Sequence, residues 1–523
     1  MRGVLRRREL LKAGLAGAGA LAFGPSFWRD ALAAVPATPG PGPFGPLQAP
    51  DANGIMLPPG FSSRVVAQGL QPVPGTAYPW HIFSDGQATY AQPDGGWVLV
   101  SNCEAPADVG GGAEAIRFRA DGSVDDAYRI LGGTTNNCAG GATPWGTWLS
   151  CEEHDAGRVW ECDPTGARPA VVRPALGVFS HEAAAVDPGG RRVYLTEDDG
   201  SGGFYRFTPR AYPDLSEGVL EIASVRDDGS VAWLPVPDPS ASSAPTREQV
   251  PGYTPFRRGE GIWFDSGIVY VATTSDERIH AYDTVAETIE VLYDAKAHTD
   301  PPLTEVDNIT VSRSGDLFVC EDAGDLSMGM ITPEPREVSN FLRLTGPQHG
   351  NPQTAAASEL TGVTFDPSGD RMYFASQRAF GVGIIYEITG PFRPARRPVE
   401  HHEIGLELSA PRTVPIARAL AAGVPVSVRV PDPAEILLTL TSTVVRRVRL
   451  PGGRFGLRRG AITISAVRMN LSPGTTEMDM RPGVSARFYL RGRRPVWSCT
   501  LSLTVTDQAG NRTTASRQLQ LVR

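Results

Sequence analysis

Lysine is almost missing from this chain: Lys12 and Lys296 are the only two among 523 residues. Arginine carries the positive charge instead, and the bias reads as composition, not as function. Cysteine is scarce as well. Six cysteines (Cys103, Cys138, Cys151, Cys162, Cys320, Cys499) are too few for a disulfide framework in a chain of this length. Cys151 and Cys162 are near enough in sequence to close a short loop, a point the sequence leaves open. No long helical period is present, and no apolar stretch is long enough for a permanent membrane span. A P-loop and a G-x-S-x-G elbow are both lacking, which removes the usual grounds for nucleotide-driven or serine-nucleophile chemistry. The formal charge of −8 argues against a nucleic-acid partner.

What is abundant is glycine (58) and proline (46), set between short Val/Ile/Tyr/Trp runs. That is the composition of an all-β protein with many tight turns. The charge is unevenly spread. From His401 to Arg523 the chain carries 18 Arg against 7 acidic residues, which leaves −19 on the first 400 residues. A strongly acidic β domain suits cation binding, although a solvated acidic surface gives the same balance.

The N-terminus reads as an export signal. Arg7-Arg8-Glu9-Leu10-Leu11-Lys12 matches the twin-arginine pattern, residues 13–23 form a weakly apolar Ala/Gly stretch, and Ala31-Leu32-Ala33 offers a cleavage site. Residues 1–33 are therefore set apart from the fold. The expected partner is the twin-arginine export machinery, and the expected location is periplasmic, extracellular or at the cell surface. A soluble monomer is expected.

After a Pro/Gly-rich lead-in (residues 34–60) a unit recurs: apolar strand, Gly/Asp/Pro turn, second apolar strand, polar cluster. The turn and second strand appear at residues 92–104, 143–153, 187–198, 265–277, 314–322 and 366–378, with an insertion between Thr208 and Phe256. Six copies predict a six-bladed β-propeller over residues 61–395. A series of β-sandwiches, or a propeller of seven or eight blades, are the competing arrangements. Residues 400–523 alternate apolar and polar positions in about seven strands, as an immunoglobulin-like β-sandwich does. Within it, Arg446-Arg447-Val448-Arg449 is either a contact for acidic polymers or ordinary strand-surface charge.

Acids close the second strand of most units: Glu104, Glu152/Glu153, Glu197/Asp198, Asp276/Glu277 and Glu321/Asp322. A second series sits just before each following innermost strand: His181-Glu182, Glu260, Asp307-Asn308 and Glu359. In a propeller these ends converge on one channel mouth. Crowded carboxylates repel, and a hard cation such as Ca²⁺ relieves them. Turn chemistry accounts for Asp but not for Glu. Neighbours on a strand face opposite ways, so Cys103, Cys151 and Cys320, each followed by Glu, read as buried fillers. Cys138 sits in a glycine-rich loop. Its thiolate would suit a transition ion beside Ca²⁺, although a buried structural cysteine is the plainer account.

Residues 137–153 (N-C-A-G-G-A-T-P-W-G-T-W-L-S-C-E-E) resemble the signature of the PhoX-type alkaline phosphatases. Leu57-Pro-Pro-Gly-Phe61, Trp80-His81, Ser180-His-Glu-Ala183, Arg258-Gly-Glu-Gly261, Glu359-Leu-Thr-Gly362 and Thr389-Gly-Pro-Phe392 extend the resemblance over roughly residues 50–395. It does not reach the C-terminal part. The resemblance implies a six-bladed propeller with a mixed Fe³⁺ and Ca²⁺ cluster, and hydrolysis of small phosphate monoesters. It implies Cys138 as an iron ligand, with Glu104, Glu152, Glu153, Glu182, Glu260 and Glu321 as further metal ligands. Arg258 and Arg378 are candidate phosphate-binding catalytic residues, against the alternative of structural strand-end arginines. Local departures, such as Ser376-Gln377-Arg378, mark a side branch. A Ca²⁺-dependent lactonase or esterase, and a non-catalytic secreted binding module, are the other functions compatible with the sequence.

Overall fold

The computed structural model describes residues 36–333, 336–350, 358–394, 407–430, 434–449, 455–491, 494–507 and 512–523. The expected export signal lies outside them. The described chain falls into two compact units, residues 34–396 and 397–523.

The first unit is all-β and propeller-like. Its antiparallel sheets follow one another in chain order, each opened by a leading strand: Ser84–Ala91, Asn137–Ala142, His181–Asp187, Gly259–Asp265, Val306–Val311 and Leu360–Phe365. Each leading strand packs against the next, and the last packs against the first. All six line one central cavity of about 130 Å³. The sheet opened by Leu360–Phe365 takes its outer strand from the start of the unit, because Ser62–Gln68 pairs with Ile384–Thr389. The two ends of the unit are thereby fastened together. The lead-in belongs to this unit as well: Thr38–Pro39 and Ile55–Met56 both pair with Arg336–Leu344.

Packing sheet against sheet covers both faces of the inner strands, so they read as continuous apolar runs. Every residue of Trp97–Cys103 is buried. Between sheets lie cores such as Leu149, Val186, Leu195, Tyr205, Phe207 and Ile222. The leading strands approach so closely that glycine is needed. A Cβ on Gly141 would stand 1.8 Å from the Ala184 carbonyl oxygen, and one on Gly261 would stand 2.6 Å from the Asn308 Cα. The insertion lengthens the third sheet with Asp214–Val225 and Val231–Pro235, then returns through Arg247 to Glu197. All six cysteines are free thiols. Cys151 pairs with Val159 and Cys162 with Trp148, at opposite ends of one short ladder.

The second unit has two sheets among the described residues. Glu407–Ser409, Val424–Val430 and Gly474–Met480 form one; Thr413–Pro415, Arg512–Val522, Val496–Asp507, Ala434–Arg449 and Phe455–Leu471 form the other. They share a core that includes Val426, Ile436, Leu438, Leu501 and Trp497. Two short helices, Ile416–Ala421 and Val484–Leu490, also belong to this unit. Strand alternation gave no sign of them. Among the described residues no helix is long and apolar enough to cross a membrane.

Candidate metal centre

One irregularity, repeated in all six sheets, builds the site. Each leading strand pairs normally at its first residue and is then bulged: Ser84 pairs with Cys103, but the next pair is Gln87 with Ser101. The same shift follows Asn137, His181, Gly259 and Val306, and in the sixth sheet it follows Thr361. A bulge lifts the extra residues out of the pleat and re-aims their side chains. The second residues of these strands are Asp85, Cys138, Glu182, Glu260, Asp307 and Thr361.

A second set is fixed by a repeated backbone bond. The residue just past each second strand donates its N–H to the carbonyl that precedes the leading strand. Glu104 donates to Phe83, Glu153 to Asn136, Asp198 to Ser180, Thr274 to Arg258, Asp322 to Glu305 and Gln377 to Glu359. Four of those acceptors (Phe83, Asn136, Arg258 and Glu305) hold positive φ between 42° and 49°. Such strain is kept where a fold over-determines it, and functional sites are its usual home.

Two ligand triads result, each with its donor atoms within 4.8 Å of one another: Cys138, Glu153 and Glu182, and then Glu182, Glu260 and Asp307. Glu182 belongs to both. The Cys138 thiol donates to Glu182 Oε1 at 3.4 Å, while Glu182 Oε2 is buried with no partner, as is Asp85 Oδ1. Burial, and then the charges of Glu260, Glu153 and Asp307, push the Glu182 carboxyl far above the carboxylate range. Burial and neighbouring acids raise Glu260 and Asp307 likewise, lift Glu153 to about 9 and Asp85 to about 7, and push the Cys138 thiol up. Crowded buried carboxyls of this kind are stabilised by a bound cation, and orphaned oxygens are what a cation would take up. A thiolate with carboxylates suits a transition ion, and an all-oxygen triad suits a hard one. The residues present fit a metal cluster.

Two half-exposed arginines border the acids. Arg258 pairs with Asp198 and Glu260 at 3.0 Å and with Asp322 at 3.3 Å. Arg378 pairs with Glu359 and, at 3.4 Å, with Glu104. Burial works against ionised Asp322, but a bond from Glu359 and the Arg258 charge hold its carboxyl below the usual range.

A family model described as alkaline phosphatase PhoX matches residues 103–379, more than half of the chain. The chain belongs to the PhoX alkaline phosphatase family. The PhoX match includes both triads and both arginines. No curated protein matches the chain. Similar solved structures include a gluconolactonase from Xanthomonas campestris, at 15% identity and TM-score 0.37, covering 67% of this chain and 99% of its own. A calcium-binding protein, regucalcin, from Agrobacterium tumefaciens has 13% identity and TM-score 0.36, covering 64% of this chain and 98% of its own.

Within this PhoX-family site the structure gathers Glu104, Cys138, Glu153, Glu182, Glu260, Arg258 and Arg378 of the residues expected from sequence. It does not bring in Glu152 or Glu321. Glu152 is the last residue of its strand, opposite Asn137, and accepts from the Thr135 N–H and the Trp160 indole. Glu321 stands opposite Val306 and accepts from the Thr304 N–H and hydroxyl and the Ser327 N–H. In both cases the next residue, Glu153 or Asp322, reaches the cluster. Asp198, Asp307, Asp322 and Glu359 belong to the acidic pattern of the sequence but not to its expected ligands. Asp85 lies outside that pattern altogether. Its signal is a place one residue into a leading strand, the place that Cys138 and Glu182 also hold.

Proposed function

We propose that this chain is an exported phosphomonoesterase whose six-bladed propeller carries an iron and calcium cluster at one mouth. The observation that carries the reading is the pair of triads sharing Glu182, bordered by two arginines, inside the PhoX match. Cys138, Glu153 and Glu182 are the residues to hold iron. Glu182, Glu260 and Asp307 are those to hold Ca²⁺, with Asp85 and Glu104 adding charge beside them. When bound, the metals supply Lewis acidity toward phosphoryl oxygens and lower the pKa of bound water.

The chain's own part is positioning. Arg258 and Arg378 present planar N–H forks for the oxygens of a phosphate monoester. Their carboxylate partners fix the guanidinium planes before substrate arrives, so less side-chain freedom is lost on binding. Asp322, held ionised, anchors Arg258. Glu359, its carboxyl pushed up by burial and by its bond to Asp322, receives Arg378 on the other side. We read the second unit as an immunoglobulin-like sandwich with a spacer, stability or cell-surface role. The export route is the twin-arginine one, and the working form is a monomer.

The test is phosphate release from an aryl phosphate by the purified, metal-loaded protein, with and without chelator. Turnover that stops on chelation and returns with iron and Ca²⁺ supports the reading. Absence of phosphate release from the loaded protein would overturn it, and lactone hydrolysis in its place would move the site to the lactonases.

A further inference from the structure

The mouth that carries the acids and the two arginines has one apolar side. Six residues take the same place in the six sheets, each offering its carbonyl to the N–H just past the second strand: Phe83, Asn136, Ser180, Arg258, Glu305 and Glu359. Arg258 and Glu359 already belong to the site, so the repeat sets Phe83 at the same level of the mouth. Phe83 is the one apolar side chain of the six. The Arg378 guanidinium lies over its ring, 5.7 Å from the centroid. A cation so placed is attracted by the ring quadrupole, which ties Phe83 to an arginine that borders the acids.

A second phenylalanine follows Arg378 in the chain. Phe380 stands in a turn closed by the Gly381 N–H on the Arg378 carbonyl oxygen, at 2.7 Å, and by the Val382 N–H on that of Ala379, at 3.0 Å. The same turn is bound to Phe83, whose N–H donates to the Val382 carbonyl oxygen at 3.0 Å. Leu70 adjoins it through the Gly69 N–H, which donates to the Gly383 carbonyl oxygen at 2.9 Å. Phe380 is 64% exposed and holds φ 51° and ψ 18°; Phe83 holds φ 49°. For bulky side chains these are left-handed outliers. Glycine at 380 would relieve the strain with little burial lost, since the ring is largely in water. An exposed ring kept on a strained backbone beside a functional site points to a ring that a ligand uses.

We propose that Phe83 and Phe380 form an aromatic wall for the organic group of the substrate, and that the preferred substrates are aryl phosphate monoesters, whose planar ring is joined directly to the ester oxygen. The assignment rests on the phosphatase reading and narrows it. The arginine that forks the phosphate lies on one ring and two residues from the other, so the wall begins where the phosphate ends. A ring on the ester oxygen meets an aromatic face at once. A polyol in that place would lay its hydroxyls against apolar faces without hydrogen-bond partners.

The test compares phenyl phosphate with glycerol 2-phosphate as substrates of the metal-loaded protein. Phenylphosphonate and methylphosphonate, which are not cleaved, are compared as ligands by calorimetry. The native protein should favour the aryl member of each pair by about tenfold. Phe380→Gly suits the left-handed backbone and so keeps the fold. It should raise KM for phenyl phosphate and weaken phenylphosphonate binding by most of that factor, with glycerol phosphate turnover and methylphosphonate affinity unchanged. Phe380→Tyr keeps a ring and should behave as the native protein does. Phe83→Asn, which copies the residue at the same place in the second sheet, should also narrow the preference. Equal handling of both members of each pair by the native protein, or a preference that survives Phe380→Gly and Phe83→Asn, would overturn the proposal while the phosphatase reading stands. Failure to release phosphate from either substrate would overturn that reading and this proposal with it. A preference for adenosine monophosphate over phenyl phosphate would overturn the aryl assignment in favour of a nucleotide.

Discussion

Glu321 and Asp322 are adjacent, yet they do different jobs. Glu321 is 1% exposed and accepts three hydrogen bonds, two from Thr304 and one from Ser327, whereas Asp322 turns to Arg258. Glu321→Gln places an amide donor among N–H and O–H donors. It should cost about 1–3 kcal/mol of unfolding free energy, read by denaturant titration, and leave bound metal unchanged. Metal loss without destabilisation would return Glu321 to the cluster. Strand alternation in the sequence predicts that Cys and the following Glu face opposite ways. It does not say which of two consecutive acids meets the channel. That depends on where the strand stops pairing, and the pairing partner lies far away in the chain. Glu153 and Asp322 are the residues past the last pair, and only the ladder reveals it.

The bulged leading strand is the element that makes the site. Six turn-and-strand units were legible because Gly/Asp turns and apolar runs are local signals. The bulge was not, because it is a relation between two strands. It is also why Asp85 escapes a search for acids at strand ends, and why Cys138 shares a position with Glu182 and Glu260 despite its unlike neighbours. In the second unit, the alternation that marks strands such as Val424–Val430 says nothing of the helices beside them. Gly261 tests the bulge directly. An added Cβ would press on Asn308 Cα and the Asp307 carbonyl oxygen, both at 2.6 Å. Gly261→Ala should therefore part the strands that carry Glu260 and Asp307. The expected outcome is a loss of calcium larger than the loss of iron, read by elemental analysis. Full retention of both metals would mean that this close approach does not set the ligand positions.

Over the whole molecule, the cluster links stability to pH and to metal. Asp85 and Glu153 rise from 3.8 and 4.5 to about 7 and about 9, and Glu182, Glu260 and Asp307 are raised as well. The folded metal-free chain therefore binds more protons than the unfolded one above the ordinary carboxylate range. Stability from these groups is complete below that range and is lost as pH rises through the raised values. Chelated protein should show a Tm that falls between pH 5 and pH 9. Metal, which displaces the protons, should raise Tm most at the alkaline end. A chelated Tm that stays level across this window would show that the acids are not coupled as the structure has them. The acidic balance of the first 400 residues was visible in sequence, but its concentration at one channel mouth needed the fold.

The most direct measurement is iron and calcium content, with phosphate release, in the purified protein beside Glu182→Gln. Because Glu182 serves both triads, the account predicts bound iron and calcium in the native protein, loss of both in the variant, and activity lower by at least about 100-fold, the upper end of what losing even an outer-shell partner costs. A variant that keeps both metals and its turnover would contradict the shared-ligand centre on which the functional reading stands.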